Sequence, residues 1–448
     1  MLRRDWLRRD LSTLDIMVLA RNDAQSTYYL LIGFIALYAG EYAFLVALYA
    51  IALMIAIALS YGEMGSHFPE TGGSYLYVKY SFGPTVGYLS AWLLALDQLI
   101  MISYGTLDSA LYLKGVLSMY GLNLWIPANI LAAILSTLLF TVTLTGIRES
   151  ARVALAIAFL DIFIVFAIIL VFNIATGLEL KPPSFKWEGR EPVSLFLALA
   201  LASRGFTGID SIGQLAGEAR SPLIQVPRAT FALIIAMSFV SLSLTVILMN
   251  RVSYEVLSGN PELALLMIAE NTPYIGGVAV ILVAVNIILI MLSAALTGYI
   301  SFSRLTYMLS DERLLPRRLA IVHPRFRTPY VALIIAYVVS LLFIAPGELK
   351  FIIEVYAIAS LINYLLVSLS LGVLERRGRL HGGFKSPRIA GTPVTTIIGA
   401  VLISFGIVLS LVERYHVLWI LAFWLLLGIL PYGVRASRRF ISFNMKPP

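Results

Sequence analysis

Ile16-Met17-Val18-Leu19-Ala20-Arg21-Asn22-Asp23-Ala24-Gln25-Ser26-Thr27-Tyr28-Tyr29-Leu30-Leu31-Ile32 places a polar run, Arg21 to Thr27, between two apolar flanks. The whole stretch lies inside an apolar segment, 14–38, long enough to cross a bilayer, which takes about 20 predominantly apolar residues. An Arg and an Asp near the middle of such a helix each cost roughly 2.5 to 3.5 kcal/mol. A chain that keeps them there uses them to line a binding site or an ion path. The run therefore predicts a membrane transporter.

Outward from this run the chain repeats the pattern. Further apolar segments occupy 41–66, 84–112, 124–145, 151–177, 193–218, 227–249, 273–309, 329–345, 350–374, 392–412 and 415–434, which predicts an all-α integral membrane protein of twelve spans. The chain is 59% hydrophobic and 13% charged, with a mean hydropathy of +0.88. That is about half the charge of a soluble domain. No polar linker divides the spans, so 1–448 reads as one transmembrane domain. Met1-Leu2-Arg3-Arg4-Asp5-Trp6, followed by Arg8-Arg9-Asp10, lacks the apolar core and small-residue site of a cleavable signal. The net charge of +8 follows topology: with both termini cytoplasmic, most Lys and Arg fall on the inner side, as the positive-inside rule requires. No nucleic-acid role follows from it, and the expected location is the cell membrane.

The chemistry is bounded by what is missing. Without cysteine there are no disulfides or thiolate sites, and four His leave little for zinc. No metal or cofactor is expected. No catalytic constellation and no Walker loop is present, so the chain reads as a non-enzyme driven by an ion gradient or by exchange.

The first, third, fifth and sixth spans carry charge at depth. In the sixth, Arg204-Gly205-Phe206-Thr207-Gly208-Ile209-Asp210 interrupts two apolar halves with two Gly and a Thr. Breaks in the first and sixth spans occupy matching places in two groups of five, which predicts an inverted repeat with its site at the midplane. The first repeat is 14–177, the second 193–374, and 392–434 holds two appended helices. Unwound backbone at such breaks frees N–H and C=O groups for a ligand.

Phe68-Pro69-Glu70-Thr71-Gly72-Gly73-Ser74-Tyr75 with Phe82-Gly83-Pro84 after it, Phe206-Thr207-Gly208-Ile209-Asp210-Ser211-Ile212 running to Glu218 and Pro222, and Ser303-Arg304-Leu305, Leu315-Pro316 and His323-Pro324-Arg325 through Thr328-Pro329 follow one another in a recognisable order. Together they resemble the amino acid–polyamine–organocation (APC) superfamily from about residue 12 to 430. The resemblance implies five plus five inverted helices, two appended, and alternating access. The first span departs from the amino-acid permeases, whose Gly-rich break grips a substrate carboxylate; it looks more like that of KUP-type potassium importers. By that likeness Asp23, Asp97 and Thr207 would contact the ion.

The expected substrate contacts are Asp23, Gln25, Ser26, Thr27, Asp97, Phe206, Thr207, Gly208 and Asp210, with Phe206 as a gate or a packing residue. Asp23 and Asp97 read either as ligands or as charge partners of Arg21 and Arg204. Asp161, 15 residues after Gly146, is the expected coupling residue, since burial disfavours a charged carboxylate; the alternatives are a sodium ligand or a helix contact satisfied by Ser or Thr. Ser293 and Thr297 share a face of the eighth span and are candidates for an ion site with the first. Asp108 reads as a vestibule residue and Glu41 as interfacial. The leading function is proton-coupled import of amino acids or small amines. A potassium importer and a non-transporting nutrient receptor are the other readings, and the partners are the bilayer, a small-molecule or cation substrate, and a coupling proton or sodium.

Overall fold

The computed structural model describes residues 9–68, 70, 72–119, 121–175, 194–347, 349–380, 383–413, 418–429 and 432. Nearly all of them are helical. In chain order the helices are α1 (Thr13–Ala39), α2 (Ala43–His67), α3 (Ser74–Phe82), α4 (Pro84–Met119), α5 (Ala128–Leu144), α6 (Ile147–Ala175), α7 (Leu195–Ser203), α8 (Ser211–Leu215), α9 (Pro222–Arg251), α10 (Tyr254–Gly259), α11 (Ala264–Glu270), α12 (Gly276–Asp311), α13 (Tyr330–Ile344), α14 (Leu349–Arg376), α15 (Val394–Glu413) and α16 (Leu418–Ile429). A two-residue antiparallel ladder joins β1 (Arg388–Ile389) to β2 (Thr392–Pro393). Among the described residues, seven stretches are long and apolar enough to cross a bilayer; the first, Thr13–His67, holds both α1 and α2. Shorter apolar helices, α5, α13 and α16, add to them.

The core is built on α4 and α12, which pack along their length, with α1 against α12, α14 against α4, and α9 packed in turn on α1 and α2. Close approach explains the first contact. A Cβ on Gly105 would meet the Met291 carbonyl and Ala295, and one on Gly298 would lie 3.0 Å from the Gln98 carbonyl. Small residues let membrane helices touch backbone to backbone, because lipid supplies no hydrophobic drive between them. The outer faces are apolar instead. On α6, Phe163 is 70% exposed while Asp161 is fully buried, so the helix turns its carboxylate inward and its Phe side towards lipid.

Two expectations about backbone are decided here. The sixth span is broken as its glycines suggest: α7 ends at Ser203, residues 204–210 form turns, and α8 starts at Ser211. The first span is not broken. α1 runs as one helix through Arg21–Thr27, started by a capping box between Ser12 and Asp15. Its polar run contains neither Gly nor Pro, and Arg21, Asn22 and Asp23 find partners on other helices, so little favours opening the backbone. Stretches read as plain loops also hold helices, α3 after the second span and α10 and α11 after the seventh. Glu41 sits half-buried in the short 3-10 turn between α1 and α2. The stretch between the fifth and sixth spans, 178–192, and the residues from 433 onward lie outside the described residues.

The loop ends of the helices are tied by ions. Glu218, just after α8, accepts from Arg304 Nε of α12 at 2.7 Å, with both side chains buried. Leu11 clasps the same segment: its N–H donates to Glu218 O at 3.0 Å, and its carbonyl accepts from Arg220 N at 3.1 Å. Lys79 and Tyr75 of α3 both donate to Glu312. Arg388 joins Glu63 of α2 to Glu375 of α14. The Arg388 guanidinium holds the Glu375 carboxyl below its ordinary range. A lowered carboxyl stabilises the fold above its unfolded pKa, about 4.3, and loses that contribution as pH falls through the folded value. Glu375→Gln should therefore lower the melting temperature at pH 7 and change it little at pH 3. Equal losses at both pH values would remove the ion-pair explanation.

Candidate functional site

Three buried carboxylates from three elements meet where helix α7–α8 is interrupted. Asp23 comes from α1, Asp97 from α4, and Asp210 from the last position before α8. All are at most 1% exposed, and each lies within electrostatic reach of another. The break brings them together. Gly208 has φ 108°, a left-handed conformation that L side chains avoid, and a Cβ there would run into the Asp23 carboxylate. Backbone of the turn thus lies directly on the polar run of α1. Gly208→Ala should reduce uptake about tenfold or more, the cost of a strained φ plus displacement of Asp23; transport at the wild-type rate would show that this contact is not part of the site.

Donors around the carboxylates are unevenly shared. Asp210 receives Tyr364 Oη at 2.8 Å, Gln214 Nε2 at 2.9 Å and Gln98 Nε2 at 3.3 Å. Asp97 receives Ser360 Oγ and Gln98 Nε2, the latter at 3.1 Å. Among the described residues Asp23 receives only Ser211 Oγ, at 3.1 Å, and its Oδ1 is buried without a partner. The Gly208 N–H is taken by Tyr364 Oη at 3.0 Å. Ser360 and Tyr364 stand one turn apart on α14, so the helix aims both at the same centre.

Beside it lies a second polar cluster. Arg21 of α1 pairs with Asp161 of α6, and both are fully buried. Asp161 also accepts from Tyr29 Oη at 2.7 Å and Asn286 Nδ2 at 2.6 Å. Asn22 donates to the Ala154 carbonyl at 2.9 Å and to Ser293 Oγ at 2.8 Å. Thr297 Oγ1 donates to the Ser293 carbonyl at 3.1 Å and reaches the Leu19 carbonyl at 3.5 Å. Ser293 and Thr297 therefore bond α1 as well as sharing a face of α12.

The partner expected for Arg21 was Asp23 or Asp97; it is Asp161. Periodicity fixes the face a residue occupies on its own helix, not the helix opposite. Asp161 is satisfied by Arg21, Tyr and Asn, where Ser or Thr had been the alternative. Among the described residues, neither Asp23 nor Asp97 forms an ion pair, with Arg21, Arg204 or any other cation. Arg204 is buried at the end of α7.

The other expected contacts divide. Phe206 stacks on Tyr28, ring centroids 4.9 Å apart and nearly parallel, and Tyr28 Oη bonds Thr245 Oγ1 at 2.7 Å. Thr207 donates to the Arg204 carbonyl at 3.2 Å and to Thr27 Oγ1 at 3.4 Å. Ser26 bonds the Asp23 carbonyl at 2.7 Å, the usual habit of Ser in a membrane helix. Gln25 is buried, and among the described residues neither amide atom has a partner. Asp108, read as a vestibule residue, is buried, 6% exposed, and makes no hydrogen bond among the described residues. Sequence reading did not single out Gln98, Ser211, Gln214, Ser360, Tyr364, Tyr29 or Asn286. Two signals were present: Ser360 with Tyr364 at i, i+4, and Asn286 seven residues before Ser293, hence on its face. No group of three His, Asp or Glu is placed to hold a metal ion among the described residues.

Comparison with known proteins agrees with this architecture. The profile of the amino acid permease family matches residues 11–431. The branched-chain amino acid permease BcaP of Bacillus subtilis is 24% identical, over 98% of this chain and 95% of its own. The methylthioribose transporter of the same organism is 25% identical over 88% and 87%. The low-affinity putrescine importer PlaP of Escherichia coli is 25% identical over 66% and 65%. A match over nearly the whole length, on a helical fold with apolar outer faces and a buried polar centre, leaves no room for an enzyme. The chain belongs to the amino acid permease family and is a multi-pass membrane transporter.

Proposed function

We propose that this protein is a secondary-active transporter that imports amino acids or related small amines by alternating access, coupled to protons. The observation that carries the reading is the meeting of Asp23, Asp97 and Asp210 at the broken helix α7–α8. Buried charge of this kind is retained where it faces a substrate path. The family and its relatives, which include amino-acid, methylthioribose and putrescine carriers, support the same class.

In this reading the chain has twelve spans, with both termini cytoplasmic. Residues 14–177 and 193–374 are inverted repeats and 392–434 is appended. The turn at 204–210 is the flexible element: its glycines let α7 and α8 reorient separately while α1, unbroken, stays a rigid wall. Asp23, Gln25, Asp97, Gly208 and Asp210 hold the substrate, with Ser26, Thr27 and Thr207 beside them, and the Tyr28–Phe206 stack closes over it. Asp161 is the coupling residue and Arg21 its counter-charge. Breaking the Arg21–Asp161 pair would loosen the α1–α6 contact, so that coupling and helix movement are linked. Ser293 and Thr297 hold α1 to α12 while this happens.

Uptake into proteoliposomes of labelled amino acids, amines and rubidium, with and without a pH gradient, tests this. Accumulation of an amino acid or amine that requires the gradient is the expected result. Rubidium uptake alone would favour a potassium importer, a reading that rests on the nearness of Asp23 to Asp97. Binding without flux would leave a nutrient receptor.

A further inference from the structure

Between Pro316 and Tyr330 the chain carries Arg317, Arg318, Arg325 and Arg327 and neither Asp nor Glu. Arg317, Arg318 and Arg325 are exposed. With the exposed Arg148 and Arg313, they have no carboxylate partner among the described residues. Cations drawn into the fold at the loop ends do have one: Arg304 has Glu218, Lys79 has Glu312, and Arg388 has Glu63 and Glu375.

The segment that carries these guanidinium groups is held in place. The 3-10 turn Arg317–Ala320 packs on α12 and α13, with Leu319 against the core. His323 then closes a loop. Its N–H donates to the Thr328 carbonyl at 2.8 Å, and its carbonyl accepts from Arg327 N at 2.9 Å. Its Nδ1 accepts from the Arg325 and Phe326 N–H groups, each at 3.3 Å. The Phe326 carbonyl lies against Gly146, two residues before Arg148. The loop thus sets Arg325 near the start of α6, where Arg148 stands.

An apolar wall rises directly from this turn. α5 and α13 run antiparallel, tied at one end by Thr328 Oγ1 to the Leu144 carbonyl at 3.2 Å and at the other by Asn129 Nδ2 to the Ala345 carbonyl at 3.0 Å. Each presents a stripe at i, i+4, i+8 spacing: Ile130, Ile134 and Leu138 on α5, and Ile334, Val338 and Leu342 on α13, all at least 44% exposed. With 17 and 15 residues, the helices are about 26 and 22 Å long, short of the ~30 Å of a bilayer's hydrocarbon. A short wall thins the bilayer beside it, which brings headgroups down to the level of the guanidinium groups.

We propose that this face is a binding site for an anionic phospholipid. Its acyl chains lie along the α5 and α13 stripes and its phosphate sits on Arg317, Arg318 and Arg325, with Arg148 and Arg313 adding charge around it. Guanidinium groups hold phosphate oxygens two at a time. A free phosphate has no use for the wall, so the headgroup chemistry is assigned to a lipid. In the topology proposed above the site faces the cytoplasmic leaflet, which carries anionic lipid.

Melting of the purified full-length protein in detergent tests this with three probes: phosphatidylglycerol, phosphatidylcholine of the same acyl chains, and inorganic phosphate. Phosphatidylglycerol should raise the melting temperature with an apparent affinity about tenfold or more above that of phosphatidylcholine, and inorganic phosphate should leave it unmoved. In 1 M salt, where the Debye length is about 3 Å, the difference should narrow. Arg317→Gln/Arg318→Gln/Arg325→Gln should respond to the two lipids alike, yet melt like the wild type without lipid, since none of the three holds an ion pair. Arg325→Gln alone should lose about fivefold of the preference, and it keeps the proposal testable if the triple variant does not fold. Arg220→Gln/Arg228→Gln/Arg379→Gln, which removes three exposed cations elsewhere, should keep the preference. Equal response of the wild type to both lipids would overturn the site. Loss of the preference in both triple variants would reduce it to net charge, and retention in both would place the lipid elsewhere; either overturns it. A full shift with inorganic phosphate would replace the lipid by a soluble anion.

Discussion

Asp161→Asn should cost this protein roughly 3 to 5 kcal/mol of stability, because removing one partner of a buried ion pair leaves the other charge stranded. Here the stranded group is the Arg21 guanidinium, fully buried between α1 and α6. The double variant Arg21→Met/Asp161→Asn should recover most of the loss. Met fills the space of the Arg stem, and the Asn carbonyl still accepts from Tyr29 and Asn286, which now hold Asp161. That repair separates structure from coupling. If the Asp161 proton links the gradient to helix movement, the double variant binds substrate and exchanges it across the membrane, yet fails to concentrate it when a pH step is applied. Melting curves and counterflow against net uptake read the two effects independently. Accumulation by the double variant under a proton gradient alone would reduce Arg21–Asp161 to a clamp between helices.

Much of this was legible before any coordinates, and the parts that were not have physical reasons. Apolar length marks spans whatever they pack against, so α1, α2, α4, α6, α9 and α12 fall close to where hydropathy places them. The break at 204–210 was visible because Gly lowers the cost of leaving a helix. The same inference failed at 21–27, where polarity was taken as a reason to unwind. Polarity alone does not unwind a helix when its side chains are met from neighbours, and Asn22 and Arg21 are met by α6 and α12. Partner identity was the least legible property. Asp161 and Arg21 are 140 residues apart, and only the fold says that these two faces oppose. Ser360 and Tyr364 were overlooked for a related reason: small polar residues in an apolar span are ordinary, and nothing in their own helix tells that Asp97 and Asp210 stand opposite.

Asp23→Asn should lower uptake about ten- to hundredfold while leaving the protein as stable as before, or more stable. The carboxylate is fully buried, has one hydrogen bond among the described residues, from Ser211, and shares its centre with the carboxyl groups of Asp97 and Asp210. A buried charge short of partners costs the fold more than a neutral amide in its place, and Asn can still accept from Ser211. Removing the unpartnered buried carboxylate oxygen is worth on the order of 1 kcal/mol, visible as a small rise in melting temperature. Function moves the other way. A charge-assisted contact to a cationic group contributes about 1.5 to 3 kcal/mol, so its loss lowers uptake by about ten- to hundredfold. Thr207→Ala provides the comparison. Thr207 now bonds Thr27 and the Arg204 carbonyl, contacts that hold the turn, so its removal should slow uptake without the gain in stability. Opposite movement of stability and uptake in Asp23→Asn is the signature of a group kept for its ligand at the expense of the fold. A variant that melts lower and still transports would make Asp23 a structural carboxylate, and the centre of the site would have to be sought elsewhere than at α1 and the broken helix.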